Sequence, residues 1–450
     1  MKKLLMIGLT AVLSTAIDTG MAADFYLVRD GKPKARILLP QVFGKATVLA
    51  ANELSDYIEK MTGARIPVDY YRSSDARFLH RYSVPHQIRI VLLPKIDSGR
   101  EISADGSGDS FTIEMTRDQF WIHGNSDTAV LYGVYQYLNN LGVQWFMPGE
   151  LGENVPKRKD IKLSNFKKTY KPSFRSREIS YDGDNPTHLN TEAQERQHRE
   201  YDLWLLRNKA HFNRSFHWNE LHGFDMNQTR EHTSHSVTDI LGEVDIEKEP
   251  ERFALVTREG VTKRRPLSER VQLCFTHPAN IEAHIQGAVD YFTKHPDMLT
   301  SPTSLADHGG ICECENCIEA NGGIFPPHNP NQVVWKFMNA IARGLRRQMP
   351  GKRIGFYAHY QPMTSPPDDI QAEPGIVAVT CHVTSSRSEI TDPECPYNRY
   401  YYEQIKKIAA TGAEMGCYEY TMRGGTPQPL AILSNTKAYH DLGYVRFHTE

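Results

Sequence analysis

From about Lys171 onward, short apolar runs typical of strands alternate with amphipathic patterns typical of helices. This alternation constrains the fold strongly, because a helical crossover returns the chain to the same end of the sheet and makes successive strands parallel. The strand-like runs lie at 174–180, 212–218, 271–276, 303–306, 353–358, 376–383, 414–420 and 444–449. The clearest helical patterns lie at 331–349, 401–410 and 430–442. Eight strands connected in this way predict a TIM-type (β/α)8 barrel.

Residues 24–165 have a different pattern, which predicts a smaller α/β domain ahead of the barrel. Helical spacing of apolar residues is found at 47–61 and 130–141, and strand-like runs at 88–93, 111–115 and 120–123. A basic stretch then leads into the barrel domain, which we place at 171–450. Because a final helix normally closes a barrel and the sequence stops at the eighth strand, we expect this barrel to be truncated at its C-terminal end.

Residues 1–22 have the features of a secretory signal peptide. Lys2 and Lys3 form its basic start, residues 4–17 are largely apolar, and small residues lead up to Ala22. This apolar run is shorter than the ~20 residues that span a bilayer, and no later run is long enough. We therefore expect cleavage after Ala22, a secreted or periplasmic protein, and no membrane span in the mature chain.

The charge balance argues against a nucleic-acid partner. Lys and Arg number 52 and Asp and Glu number 54, so the formal net charge is −2 and the basic surplus of a nucleic-acid binder is missing. The sequence also lacks the GxGxxG, P-loop and GxSxG motifs, which leaves nucleotide chemistry and the serine-hydrolase elbow without support.

Two sets of segments resemble known families. The first is AVLYGVYQYLNNLGVQWFMPGELGENVP, which resembles the small N-terminal domain of α-glucuronidases and β-hexosaminidase-like glycoside hydrolases. The second comprises EPERFALVTREG, VQLCFTHP and SLADHGGICECENC, which are similar to the domain of unknown function 4838 family. The resemblance implies a two-domain plan with a barrel and an oligosaccharide or polysaccharide substrate.

The active site of such a barrel lies at the C-terminal ends of its strands, which turns the strand positions into candidate residues. Catalytic candidates are the carboxylates Asp307, Glu419 and Glu450. We expect Asp307 to act as the base or polarising group and Glu419 as the acid, with Glu450 beside it raising the pKa of Glu419. Candidates for sugar binding are Arg177, His217, Trp218, His235, His382 and Tyr420.

Structural roles are the alternatives for the acidic candidates. Asp307 could cap the turn at Gly309, Glu419 could pair with Arg423, and Glu178 could form an ion pair with a nearby arginine, either Arg175 or Arg177. The histidines around 217–235 lack the HExxH spacing of a metal site, and we expect them to bind hydroxyl or carboxylate groups.

The cysteines suggest two different roles. Cys274, Cys381 and Cys417 lie in apolar runs and are expected to be small buried side chains. Cys312, Cys314 and Cys317 are closely spaced, which allows a structural zinc with His308 or Cys395 as fourth ligand, a disulfide, or free thiols. No other cofactor is expected.

The leading hypothesis is an exported glycosidase that cleaves polysaccharide-derived oligosaccharides by carboxylate acid/base catalysis. Retaining, inverting and substrate-assisted mechanisms stay open, because the spacing of two facing carboxylates distinguishes the first two and the third needs one acid. The alternative is a non-catalytic carbohydrate-binding protein on a barrel scaffold.

Overall fold

A computed structural model describes most of the chain after Asp24. The described residues are 25–40, 44–71, 88–94, 108–116, 119–179, 191–211, 231, 233–242, 244–296, 298–327, 329–359, 366, 369–382, 388–420 and 429–449. Their buried apolar side chains form two hydrophobic cores, one mostly from residues 27–163 and one from residues 174–444. No helix in these ranges has the length and apolar character needed to cross a membrane. The predicted signal peptide lies outside them, so export stays a prediction.

The first core lies against a six-stranded sheet. Its elements are β1 (Phe25–Arg29), β2 (Lys32–Pro33), β3 (Ala35–Pro40), α1 (Lys45–Thr62), β4 (Val68–Tyr71), β5 (Ile88–Pro94), β6 (Phe111–Thr116), β7 (Gln119–Gly124), α2 (Asp127–Asn140), β8 (Gln144–Trp145), β9 (Glu153–Asn154), β10 (Ile161–Leu163) and β11 (Phe166–Tyr170). The strand order is β11-β6-β7-β5-β3-β4, and α1 and α2 cover the sheet. Both predicted helices and the three predicted strands are confirmed.

Asp127 joins the beginnings of the two helices in this region. Its carboxylate accepts hydrogen bonds from the backbone N–H of Ala46 at 2.8 Å and of Thr47 at 3.1 Å. Those N–H groups have no partner within α1, because the first turn of a helix leaves its donors free. Ser126 caps α2 in the same way, through the Ala129 N–H at 3.0 Å. A larger residue at Gly44 would displace this carboxylate, since a Cβ there would lie 2.1 Å from a carboxylate oxygen of Asp127.

The second core surrounds a parallel sheet. Its elements are β12 (Ser176–Ile179), α3 (Glu192–Arg207), β13 (Leu255–Arg258), β14 (Val261–Arg264), α4 (Pro278–Lys294), β15 (Thr300–Pro302), α5 (Glu315–Ala320), α6 (Asn331–Gln348), β16 (Arg353–His359), β17 (Ile376–His382), α7 (Pro396–Ala410), β18 (Glu414–Glu419), α8 (Pro429–Asp441) and β19 (Tyr444–Thr449). Six strands pair in the order β12-β19-β18-β17-β16-β15, all parallel.

The predicted α/β class is confirmed, but the described residues do not form a complete (β/α)8 barrel. The sheet has six strands, and one isolated parallel bridge extends each edge: Glu178 pairs with His211 at one side, and His235 pairs with Ser304 at the other. The predicted second strand, 212–218, lies outside the described residues.

Two predicted strand positions need correction. Residues 271–276 do not join the parallel sheet and make a single antiparallel bridge, between Leu273 and Phe253. The place beside the fourth strand is taken by the chain at His235, where the Ser304 N–H donates to the Ser234 carbonyl at 3.2 Å. The fourth strand itself is Thr300–Pro302 and not 303–306. The run at 271–276 is apolar because it is buried, and burial alone does not distinguish a sheet strand from other interior chain.

Helix α3 follows the first parallel strand but packs into the other core. Leu205 and Leu206 of α3, and Ala210 just after it, belong to the core of the first region. Arg207 at the end of α3 pairs with Glu53 at 3.0 Å and with Glu153 at 2.9 Å, and all three side chains are largely buried. The two regions therefore share a packed and charged contact, and the predicted domain boundary stays a prediction.

Candidate active site and cysteine cluster

The strand register separates the side chains of the parallel sheet into two faces. His448 is paired with Glu178 on one side and with Tyr418 on the other. Paired residues of adjacent strands point to the same face, and the next residue along each strand points to the opposite one. Glu419, which pairs with His382, therefore lies on the other side of the sheet from Tyr418.

One face carries rings and a buried charge, and we call it the aromatic face. Its members are Glu178, His235, Tyr357, Tyr418, Tyr420, Arg446 and His448. The Tyr418 ring lies 4.3 Å from that of His448 and 4.8 Å from that of Tyr420, between centroids. Tyr357 lies 4.9 Å from His235. Such a row of rings and imidazoles can stack on a sugar and bind its hydroxyl groups.

Glu178 is the charged anchor of the aromatic face. Its two oxygens accept hydrogen bonds from Arg446 at 3.0 and 3.1 Å, and Ser176 donates a third at 2.6 Å. Burial raises the pKa of Glu178, but the Arg446 charge, the nearby His448 and the Ser176 hydrogen bond together outweigh burial and lower that pKa to about 2. This carboxylate is therefore ionised and fully engaged, which suits positioning better than proton transfer. The expected structural ion pair of Glu178 is therefore present, but its arginine is Arg446, whereas Arg175 pairs with Glu231 and Arg177 with Asp109.

His448 is neutral near pH 7. Burial lowers the pKa of His448 to about 4, although the Glu178 carboxylate, 4.0 Å from its Nδ1, acts in the opposite direction. A neutral imidazole offers one donor and one acceptor, which is the pattern that a sugar hydroxyl group needs. His448 can therefore serve as a binding group at this position.

Glu419 and His382 lie between the sheet and its helices. Glu419 accepts a hydrogen bond from the Tyr439 hydroxyl at 2.6 Å, and the His382 Nδ1 lies 3.1 Å from its other oxygen. The second nitrogen of His382 is 3.0 Å from Asn398 on α7, and the Tyr401 ring lies 4.6 Å away. Both side chains are buried. The structure thus places this predicted pair against α7 and α8, on the face opposite to the aromatic face.

Asp307 is exposed in the loop after β15, at the C-terminal end of the sheet. The buried Gln272 holds this loop on both sides of Asp307: its amide N–H donates to the Ala306 carbonyl at 2.9 Å and to the His308 carbonyl at 2.8 Å. The amide oxygen of Gln272 also accepts the Ala306 N–H at 3.2 Å. The exposed carboxylate of Asp307 therefore lies on a segment of backbone that hydrogen bonds to Gln272 hold in place.

The remaining predicted residues divide into three groups. His235 and Tyr420 lie on the aromatic face. Arg177 points toward the first region, where it pairs with the buried Asp109 at 2.6 Å. His217, Trp218 and Glu450 lie outside the described residues. Sequence reasoning missed Tyr357 and Tyr418, although the period of two along each strand carried the signal for both.

Four cysteine thiols meet in one place. They belong to Cys274, Cys312, Cys314 and Cys317, and their sulfur atoms all lie within 4.8 Å of one another. Cys274 Sγ lies 3.7 Å from that of Cys314 and 3.8 Å from that of Cys317. The group could hold a metal ion. The expected fourth member, His308 or Cys395, was wrong. Cys274 takes that place, and it is buried as predicted but is not merely apolar filling.

Comparison with known proteins places the chain in a family and relates its fold to glycoside hydrolases. A GH115 4-O-methyl-α-glucuronidase with specificity for decorated arabinogalactans matches 95% of this chain at a TM-score of 0.52 and 14% identity. The Flavobacterium johnsoniae chitobiase FjGH20 matches 95% at a TM-score of 0.46 and 10% identity.

The chain spans only part of these neighbours, 54% of the α-glucuronidase and 63% of the chitobiase. At such identities the first likeness shows a shared fold. No curated protein matches the sequence. The model of the family "Domain of unknown function (DUF4838)" matches residues 147–449. That match covers well over half of the chain, and the protein belongs to this family.

Proposed function

We propose that this chain carries the sugar-binding and catalytic face of an exported glycoside hydrolase that acts on polysaccharide-derived oligosaccharides. The observation that carries the proposal is the aromatic face, together with an exposed Asp307 at the C-terminal end of the same parallel sheet. The likeness to the GH115 α-glucuronidase fold supports it. Export rests on residues 1–22 alone.

We also propose that the parallel sheet closes into a full (β/α)8 barrel. The two isolated bridges supply the missing neighbours of a six-stranded sheet, with the chain at His211 beside β12 and the chain at His235 beside β15. Eight positions in this order match the strand count of a (β/α)8 barrel. The aromatic face is then the inside of the barrel, and Tyr418, Tyr420 and His448 lie toward the C-terminal ends of the strands, where TIM-type enzymes bind their substrates.

Each residue has a definite task in this scheme. Tyr418 and Tyr357 offer ring faces to a pyranose, and His448 binds a hydroxyl group. Glu178 fixes Arg446, whose guanidinium donates to Thr233 at 2.6 Å and adds positive charge to the face. Asp307 transfers the proton at the glycosidic oxygen or polarises the attacking group.

A non-catalytic sugar-binding protein is the second candidate. The burial of Glu419 against α8 favours it, because one of the two carboxylates expected to face each other does not share the aromatic face. The same observation favours substrate-assisted cleavage among the catalytic mechanisms, since that route needs a single protein acid in addition to the substrate's own N-acetyl group.

The test is a screen of the purified full-length protein against aryl glycosides and natural oligosaccharides, including uronic acids and N-acetylhexosamines. On a substrate that is cleaved, we expect Asp307→Asn to lower turnover by ~10²–10⁴-fold. Glu282→Gln is the control, because it removes an exposed carboxylate from helix α4. Binding of a sugar without cleavage would support the second candidate, and full activity of Asp307→Asn would contradict the assigned role.

A further inference from the structure

We propose that Cys274, Cys312, Cys314 and Cys317 form a structural zinc site. Zinc binds thiolates at ~2.3 Å in a tetrahedron, which sets the sulfur–sulfur distance at ~3.8 Å. The two distances from Cys274 Sγ, 3.7 and 3.8 Å, match that edge. Four thiols within 4.8 Å of one another supply the complete ligand set of a closed structural site.

The arrangement fits a shared ion better than a disulfide. A disulfide joins one pair of sulfurs at ~2.0 Å and leaves the others outside the bond. Here Cys274 is equally close to two other cysteines, and all four residues are free thiols in the structure. Packing alone does not explain why four thiols lie together, because other small apolar side chains would fill the same space.

The surroundings of the cluster suit a negatively charged metal–thiolate centre. Four thiolates outweigh the charge of one zinc ion, so the centre needs cationic and N–H neighbours. Arg264 supplies the cation, with its Nη1 3.5 Å from Cys312 Sγ. The backbone N–H of Leu255 donates to the same sulfur at 3.4 Å, and Thr276 Oγ1 lies 3.4 Å from Cys317 Sγ.

The proposed zinc joins residues 271–276 to residues 312–317, which include the first turn of α5, and the β13–β14 hairpin contacts the cluster through Leu255 and Arg264. This explains why the apolar run at 271–276 is buried outside the parallel sheet. Gln272, which holds the Asp307 loop, lies two residues before Cys274. The metal would thus fix the backbone that carries Asp307. That last consequence rests on the proposed function, whereas the metal site itself does not.

The first experiment measures metal and thiols on the full-length protein, purified without chelator or reductant. We expect about one zinc per chain by mass spectrometry of the elements. Unfolding in a chelator should then expose all seven cysteines as reactive thiols. Two disulfides within the cluster would leave only three of the seven reactive and no zinc, and this result would overturn the proposal. Seven thiols without bound metal, after refolding in zinc, would also overturn it.

The second experiment uses variants. Cys274→Ser should lose the bound zinc, while Cys395→Ser should keep it, because Cys395 lies outside the cluster. Arg264→Met should fold and weaken zinc affinity by ~10–100-fold in a competition with a chelator. If Cys274→Ser does not fold, the wild-type protein loaded with Co²⁺ decides: visible bands of a tetrahedral thiolate complex support the site, and their absence contradicts it. Zinc content is independent of glycosidase activity, so the two proposals can fail separately.

Discussion

Glu178 and Arg446 are 268 residues apart in the chain and form a two-fold hydrogen-bonded ion pair across adjacent strands β12 and β19. Both side chains are almost completely buried. The pair joins the first and the last described strands of the parallel sheet, so it secures the contact with the largest sequence separation in that sheet. Closing so long a separation carries an entropic cost, and we expect the buried charge pair to favour one register of the two strands.

Replacing one partner of this pair should destabilise the protein strongly. Arg446→Met leaves the Glu178 carboxylate buried without its counter-charge, and we expect the free energy of unfolding to fall by about 3–5 kcal/mol. Urea denaturation at pH 7 measures it. Arg343→Met is the control, because Arg343 pairs with Glu373 at 2.9 Å at the surface and should cost less than about 1 kcal/mol. Equal losses in the two variants would contradict the assigned role.

His448 should make stability sensitive to mildly acidic pH. Burial lowers the pKa of His448 from 6.5 to about 4. Between pH 6.5 and 4, His448 is therefore protonated in the unfolded chain and neutral in the folded protein. The free energy of unfolding therefore decreases as the pH falls from 6.5 toward 4. In His448→Gln the free energy of unfolding should depend less on pH, and the loss between pH 6.5 and 4 should be smaller than in the wild type by up to ~3 kcal/mol.

Urea denaturation at several pH values measures the effect of His448→Gln. His440→Gln is the matched control, because His440 is half-exposed. A wild-type slope that survives in His448→Gln would show that the titrating group lies elsewhere.

Glu419→Gln should affect stability and not catalysis. The buried Glu419 accepts the Tyr439 hydroxyl at 2.6 Å and contacts His382, and an amide in its place leaves one of these groups without a suitable partner. We expect a loss of about 1–3 kcal/mol in the free energy of unfolding and unchanged turnover per folded molecule. Glu403→Gln on the exposed side of α7 is the control. A loss of turnover of ~10²-fold at unchanged stability would return Glu419 to the role of the acid.

Two adjacent glycines in the Asp307 loop should differ sharply in their tolerance of alanine. Gly310 has φ of +74°, and a Cβ on it would lie 2.7 Å from the Val271 Cα. We expect Gly310→Ala to lower the free energy of unfolding by about 1–3 kcal/mol, because a Cβ is unfavourable at this left-handed φ and would also contact the backbone of Val271. Gly309→Ala should be close to neutral, since nothing lies within 4 Å of its Cβ position. Thermal unfolding of the two variants makes the comparison, and equal effects would contradict the assigned loop conformation.

The sequence predicted the repetitive parts of this fold well. The helix expected at 331–349 is Asn331–Gln348, and the strand expected at 376–383 is Ile376–His382. Both have a strong local signal: an apolar stripe at helical spacing in the first, and in the second a short, mostly apolar run whose seven residues are all buried in the structure. The run at 271–276 has a similar composition but serves to bury a cysteine cluster. No local pattern separates the two cases, because the difference is set by what packs around them.

The candidate site was harder to predict because the end of a strand does not reveal which face a side chain occupies. Glu419 and Tyr418 are neighbours at the end of β18, and the sheet sends them to opposite sides. Asp307 was chosen because it follows a strand; the structure shows that it is exposed, and its catalytic role stays a prediction. Cys274 was interpreted from its apolar neighbours alone, although its thiol lies beside those of residues 38–43 positions later in the chain. A thiol cluster whose members are this far apart in the chain forms no short sequence motif, so it could not be recognised from the spacing of its cysteines.

The packing of α3 into the first core affects how the protein can be divided. Leu205, Leu206 and Ala210 lose their apolar environment if the residues before 165 are removed, and Arg177 and Arg207 lose their carboxylate partners. The change of sequence pattern near residue 165 is therefore a poor position at which to truncate or cleave the chain. We expect heating to unfold both cores in a single cooperative transition, so that damage to the smaller region also unfolds the larger one.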